Sequence, residues 1–175
     1  SGLDSLVTLD VHSPSAAQAF PVPIHSISTA PLFYEALQKE SWKPDVIIAP
    51  DVGAEKRCQE MAKLFHVPVV TLHKKRDKQG IVHMEIEGQI GKKALIVDDI
   101  LDTGATLVSC RKAIEARGAE EIRIAVSHGL FTQNQWKQLL DLPIYCTNSV
   151  QPSHVPNSVH IVSILPLLQR DCFKA

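Results

Sequence analysis

At 175 residues, with a formal net charge of −1 and 45% apolar residues, the chain has the size and composition of one folded domain and not of a disordered segment. Near-neutral charge gives no reason to expect nucleic acid or a membrane surface as partner, and no apolar run reaches the roughly 18 residues of a membrane span. Cys58, Cys110, Cys146 and Cys172 are widely spaced with no CxxC pair, so they read as reduced thiols of a cytoplasmic protein, not as a disulfide frame or a shared metal site.

In chain order, residues 6–10 read as a short strand ending in Asp10-Val11-His12-Ser13, followed by a turn-rich connector at 14–23 with one helical turn at 16–20. Residues 24–28 are extended, and a helix over 31–40 follows, with Thr29 as its N-cap and Pro31 in its first turn. The buried strand 45–49 ends in Pro50-Asp51-Val52-Gly53, and 54–65 shows helical periodicity. A third buried strand, 67–72, is interrupted by a charged loop at 73–80, and the alternating stretch 81–87 reads as a hairpin strand. A central strand and helix come next, then a strand at 122–127 and a helix near 133–140. Strands at 144–146 and 159–164 and a short helix at 165–172 complete the chain. This alternation predicts an α/β fold with a mainly parallel sheet, in which ligands gather at the carboxyl ends of the strands.

The central stretch, residues 93–106, is the most informative. Its apolar run, 93–97, suits a strand buried on both faces, and Asp98 and Asp99 end that run. A turn with Thr103, Gly104 and Thr106 leads into a helix over 107–117, with Gly118 as its stop. Strand, tight turn and helix start make an anion site, because the first helical N–H groups lack intrahelical partners and the dipole's positive end points the same way. Asp98 and Asp99 suit sugar hydroxyls or a hydrated Mg²⁺. The turn is no Walker A loop, since no Gly-Lys-Ser/Thr follows, and the Rossmann glycine spacing is missing.

Other strand ends carry polar residues. Asp10 and His12 fall on one face of an extended segment, where a carboxylate and an imidazole are possible metal ligands or an ordinary strand end. Asp51 fits helix capping and metal ligation equally well. His73-Lys74-Lys75-Arg76-Asp77-Lys78 is either a solvated loop or a cationic lid, and its position between a sheet strand and the phosphate turn favours the lid.

The Asp98–Thr106 element resembles the phosphoribosyl-pyrophosphate motif of the phosphoribosyltransferase fold. Further ordered matches are similar to the ribose-phosphate pyrophosphokinase family, the phosphoribosyl-pyrophosphate synthetases: Leu9-Asp10-Val11-His12-Ser13, Ala49-Pro50-Asp51-Val52-Gly53-Ala54-Glu55-Lys56-Arg57, Lys74-Lys75-Arg76, Ser127-His128-Gly129-Leu130-Phe131 and Thr147-Asn148-Ser149. The resemblance implies a phosphoribosyltransferase-like α/β fold and Mg²⁺-dependent transfer of diphosphate from ATP to ribose 5-phosphate. In that frame Asp102, Thr103, Gly104, Ala105 and Thr106 hold the 5-phosphate, and Asp98 and Asp99 the ribose. His12 and Asp51 hold Mg²⁺, and Lys74 and Arg76 are catalytic, with Arg76 also touching ribose 5-phosphate. The family usually has glycine where Ala105 stands. If that backbone needs positive φ, alanine costs roughly 1 kcal/mol.

The same resemblance implies a homo-oligomer and an incomplete enzyme. Residues 1–28 would be the tail of an absent first half, 29–158 the ribose 5-phosphate domain, and 159–175 a segment packing back on that half. Two other readings stay open: a phosphoribosyltransferase that consumes phosphoribosyl pyrophosphate, and a non-catalytic, synthetase-like regulatory subunit.

Overall fold

The structure is a computed structural model that describes residues 2–11, 18–76, 82–151 and 155–172. Residues 16 and 17 of the expected helical turn at 16–20 lie outside the described residues, as does His12.

Runs of β-branched and aliphatic residues form a seven-stranded sheet, ordered β5-β4-β3-β6-β7-β8-β9. Its strands are β3 (Val46–Ala49), β4 (Val69–Arg76), β5 (Val82–Ile86), β6 (Lys93–Leu101), β7 (Glu121–Gly129), β8 (Ile144–Thr147) and β9 (Val159–Val162). All neighbours are parallel except β4 and β5. A separate parallel pair joins β1 (Leu6–Leu9) to β2 (Ile24–Ile27).

Alternation along each strand divides the core in two. Val46, Ile48, Ala94, Ile96, Ile122, Ile124 and Val126 face α3 (Ala105–Glu115), which contributes Leu107, Cys110 and Ile114. Ile47, Ala49, Leu95, Val97 and Ala125 face α1 (Ala30–Lys39) and α2 (Glu55–Phe65), through Phe33, Leu37, Cys58, Met61 and Phe65. The expected mainly parallel α/β fold is thus present, with helices on both faces. A third small cluster joins Leu9 of β1, Leu32 of α1 and Leu167 of α4 (Leu165–Asp171). Leu9 and Ile27 from before residue 29 therefore pack with Val162, Ile164 and Leu167 from after residue 158 against Leu32 of α1, and β9 ends the sheet.

Four expectations change. Residues 73–76 of the expected charged loop are strand, while 77–80 lie outside the described residues: β4 continues to Arg76 and pairs antiparallel with β5, Leu72 opposite Ile86 and Arg76 opposite Val82. Exposed Lys75 is anchored there to Glu85 at 2.5 Å. β6 does not stop at the aspartates either. Its pairing with β7 runs to Leu101 opposite Gly129, so both carboxylates lie within the strand. The helix near 133–140 is a 3-10 helix, Gln135–Leu139. Thr29 occupies the N-cap of α1 but makes no side-chain cap, because its hydroxyl is engaged elsewhere. Gly118 behaves as expected, adopting φ +96° just past α3. Among the described residues no helix is long and apolar enough to cross a membrane.

Ile96 lies at the centre of this arrangement with no exposed surface, whereas Ile161 on β9 is 50% exposed. Urea unfolding of Ile96→Ala should show a loss of about 2–5 kcal/mol, while Ile161→Ala should stay within about 0.5 kcal/mol.

Candidate functional site

The polar strand ends collect on one edge of the sheet. After β6 a three-residue turn, 102–104, enters α3. Gly104 caps the helix at φ +86°, a left-handed conformation that glycine adopts without Cβ strain. The left-handed position is Gly104 and not Ala105, so alanine at the first helical position meets no backbone penalty. The Ala105 N–H donates to Thr103 Oγ1 at 3.3 Å. The next two N–H groups have no intrahelical acceptor by helix geometry, and with the dipole they make an anion cradle.

Behind the cradle, Arg57 of α2 bridges both aspartates. Its Nη1 lies 3.2 Å from Asp98 Oδ1 and its Nη2 lies 3.0 Å from Asp99 Oδ2. Asp99 is buried among the few polar side chains of the core, and its N–H donates to Asp98 Oδ1 at 2.9 Å. Burial pushes the Asp98 carboxyl up to about 7; hydrogen bonding and repulsion from Asp99 add to the rise, while the Asp99 N–H and Arg57 oppose it. The group therefore presents two oxygen-rich side chains to the site, held by one guanidinium.

Asp10 follows β1 with φ +40°, a left-handed conformation that aspartate tolerates better than most side chains. Its Oδ2 accepts from the Thr29 N–H at 3.2 Å, from Thr29 Oγ1 at 2.5 Å and from Ser127 Oγ at 2.5 Å. Of the two readings left open for Asp10, these bonds fit the strand-end one: the side chain is a strut that ties β1 to the start of α1 and the end of β7. Next to it, His128 Nε2 lies 3.2 Å from the Leu9 carbonyl, which can only accept, so that nitrogen carries a proton. Its Nδ1 meets Ser149 Oγ at 2.8 Å. Thr147 Oγ1 donates to the Ser127 carbonyl at 2.5 Å, completing a polar seam across the ends of β7 and β8.

Asp51 follows β3 in an extended conformation, and its Oδ1 caps the 3-10 turn Val52–Ala54 by accepting from the Ala54 N–H at 3.3 Å. Beside this turn lies a cavity of about 180 Å³ whose lining includes Asp10, Ser26, Ser28, Gly53, Lys56 and Arg57. Among the described residues Asp51 Oδ2 makes no hydrogen bond, so it is open to a hard cation. No group of three or more His, Cys, Asp or Glu side chains among the described residues could hold a metal by itself. Any ion here would complete its shell with substrate and water oxygens, the usual Mg²⁺ arrangement. Lys74 and Arg76 lie on the outer part of β4; their side chains are outside the described residues.

Residues 24–159 match the phosphoribosyl transferase domain. The chain belongs to that family. The phosphoribosyl transferase domain here is also 31% identical, over 96% of the chain, to a ribose-phosphate pyrophosphokinase of Thermosipho africanus, and covers 55% of that protein. The chain spans about half the length of the curated relatives it matches. Its fold matches the phosphoribosylpyrophosphate synthetase of Mycobacterium smegmatis with a TM-score of 0.81 at 24% identity, covering 97% of this chain and 57% of that one. An adenine phosphoribosyl transferase of Trypanosoma brucei shares the fold at a TM-score of 0.56 and 16% identity, covering 83% of this chain and 67% of that one.

The phosphoribosyl transferase domain thus gathers Asp51, Asp98, Asp99 and the 102–106 turn at one sheet edge. Arg57 has no role of its own in the sequence, where it only ends the Ala49–Arg57 match. Its signal was an arginine in the first turn of a helix entered from a strand end. Trp136 carries no local signal, and only the fold reveals its contact with Gly104, more than thirty residues earlier.

Two consequences can be measured. In the native state Asp98 keeps a proton that the unfolded chain releases near pH 3.8, so its contribution is present at low pH and lost as pH rises towards 7. Asp98→Asn should therefore flatten the fall in stability between pH 4 and pH 7, read from urea midpoints; parallel curves for both proteins would contradict this. Arg57→Ala leaves the buried carboxylates without their cation and should cost on the order of 3–5 kcal/mol in the same assay.

Proposed function

We propose that this domain supplies the ribose 5-phosphate site of a ribose-phosphate pyrophosphokinase, which joins ATP and ribose 5-phosphate to give phosphoribosyl pyrophosphate and AMP. The observation that carries this reading is the match to a protein of that name over 96% of the chain. A match of that extent reaches well beyond the phosphate turn.

In this reading the N–H groups of the 102–106 turn, with the hydroxyls of Thr103 and Thr106, bind the 5-phosphate. Asp98 and Asp99 accept hydrogen bonds from the ribose hydroxyls, and Arg57 keeps their oxygens fixed, so the anomeric oxygen is held for in-line attack. That oxygen attacks the β-phosphorus of ATP. A new C1–O–Pβ linkage forms, the bond from Pβ to the α,β-bridging oxygen breaks, and AMP departs while the anomeric proton is released. Asp51, with His12, would hold Mg²⁺, which neutralises phosphate charge when bound. Lys74 and Arg76 carry positive charge on the β4–β5 arm towards the transferring phosphates, with Arg76 also reaching the ribose 5-phosphate. A homo-oligomer that completes the nucleotide site belongs to the same reading.

A phosphoribosyltransferase that consumes phosphoribosyl pyrophosphate would share the 102–106 turn and the fold, as the likeness to the Trypanosoma brucei protein illustrates. It would have no use for the Asp51 and Lys74–Arg76 groups. A regulatory, non-catalytic subunit would bind ribose 5-phosphate without turnover. AMP release from ATP and ribose 5-phosphate, assayed on the natural protein that carries this chain, separates the three. Mg²⁺-dependent AMP formation is expected, and its absence would sink the synthetase reading. In that assay Lys74→Ala should lower turnover by about 10³-fold with ribose 5-phosphate binding largely kept.

A further inference from the structure

The phosphate turn does not stand alone, and the segment that follows β7 is wrapped against it. The N–H groups of Leu130 and Phe131 donate to the Leu101 carbonyl at 2.8 and 3.2 Å. The Thr132 hydroxyl donates to Asp102 Oδ1. The Trp136 N–H donates to the Thr103 carbonyl at 2.8 Å. A Cβ on Gly104 would come within 2.6 Å of Trp136 Cα and 2.7 Å of its N, so the turn and the tryptophan backbone are in direct contact. The indole packs edge-on to Phe131, with centroids 5.5 Å apart, and is only 5% exposed.

The far end of this segment is tied down as well. Arg111 of α3 donates to the Gln138 carbonyl at 2.8 Å and makes a two-pronged pair with Asp141, both contacts at 2.6 Å. The segment thus touches the turn at one end and is clamped at the other to the helix whose N-terminus forms the anion cradle. Turn, helix and segment close a triangle. Displacement of any side has to break contacts on both of the others.

We propose that Trp136 is the positioning residue of the phosphate turn, and that the 130–141 segment is a buttress which sets the turn's geometry for the 5-phosphate. This rests on the reading of that turn as a ribose 5-phosphate site. Trp136 itself touches the turn and not the sugar phosphate, so its effect is on preorganisation. The buried Trp136 Nε1 has no hydrogen-bond partner among the described residues. Replacement by phenylalanine removes that unpaired donor while keeping an aromatic ring against Phe131.

The test uses the full chain, with ribose 5-phosphate and inorganic phosphate as probes in calorimetry. Trp136→Ala should weaken ribose 5-phosphate binding about tenfold, with Trp136→Phe restoring it to within about threefold of the parent. Arg111→Ala, which frees the far clamp along with an i,i+4 pair to Glu115, should weaken it by a few-fold and keeps the test open if Trp136→Ala does not fold. The chain has two tryptophans, so Trp42→Phe leaves Trp136 as the one reporter, and its emission should shift as ribose 5-phosphate is added. Binding unchanged in the folded Trp136 and Arg111 variants, or a silent Trp136 in a chain that calorimetry shows to bind, would overturn the buttress. No binding of either probe by the parent would overturn the ribose 5-phosphate reading itself, and the buttress with it.

Discussion

Two adjacent carboxylates inside a strand buried on both faces cannot stay ionised without a counter-charge, and Arg57 is that charge. The position of α2 follows from this need. Phe65, Met61 and Cys58 hold the helix against the sheet, and the residue before Cys58 then delivers its guanidinium to both aspartates. Burial, with hydrogen bonding and repulsion from Asp99, still pushes the Asp98 carboxyl up to about 7, so near neutral pH Asp98 is part-protonated beside its neighbour. Such a pair can accept from donor hydroxyls without carrying a full double charge in the interior.

Around that pair, the fold spends its remaining buried polar groups on alignment. Asp10 collects three donors onto one oxygen, and the Ser127–Thr147–Ser149 seam fixes the ends of β7 and β8. Neither group leaves much freedom at the sheet edge, while the 102–104 turn gains its rigidity from outside, through Trp136 and Arg111. This edge of the sheet is thus framed by three unlike devices: an ion pair, a carboxylate strut and a packed buttress.

Much of this was legible in the residues because it depends on local pattern. Unbroken apolar runs marked the buried strands, and the Thr103-Gly104 turn before a helix marked the anion cradle. What escaped depends on tertiary pairing. Nothing near His73 says that its charged neighbours will be carried on a strand, since that needs β5 as partner. The Thr29 hydroxyl looked like a helix cap until Asp10 arrived from the preceding strand with a stronger, charged acceptor. Asp98 and Asp99 read as a strand end because carboxylates rarely continue a buried strand, and only Arg57 makes the continuation tolerable. The alanine at 105 raised a question that one neighbouring dihedral angle answers.

The Asp10 strut joins residues 117 positions apart in a chain of 175. Closing so long a loop costs chain entropy that local contacts do not return, and contacts of that separation form late in folding. The β6–turn–α3 unit can assemble from neighbours in sequence, but the edge that surrounds it is complete only after β7 has docked and β1 has found its place. Loop-closure entropy therefore favours assembly of the cradle ahead of the polar frame that gives it a defined pocket.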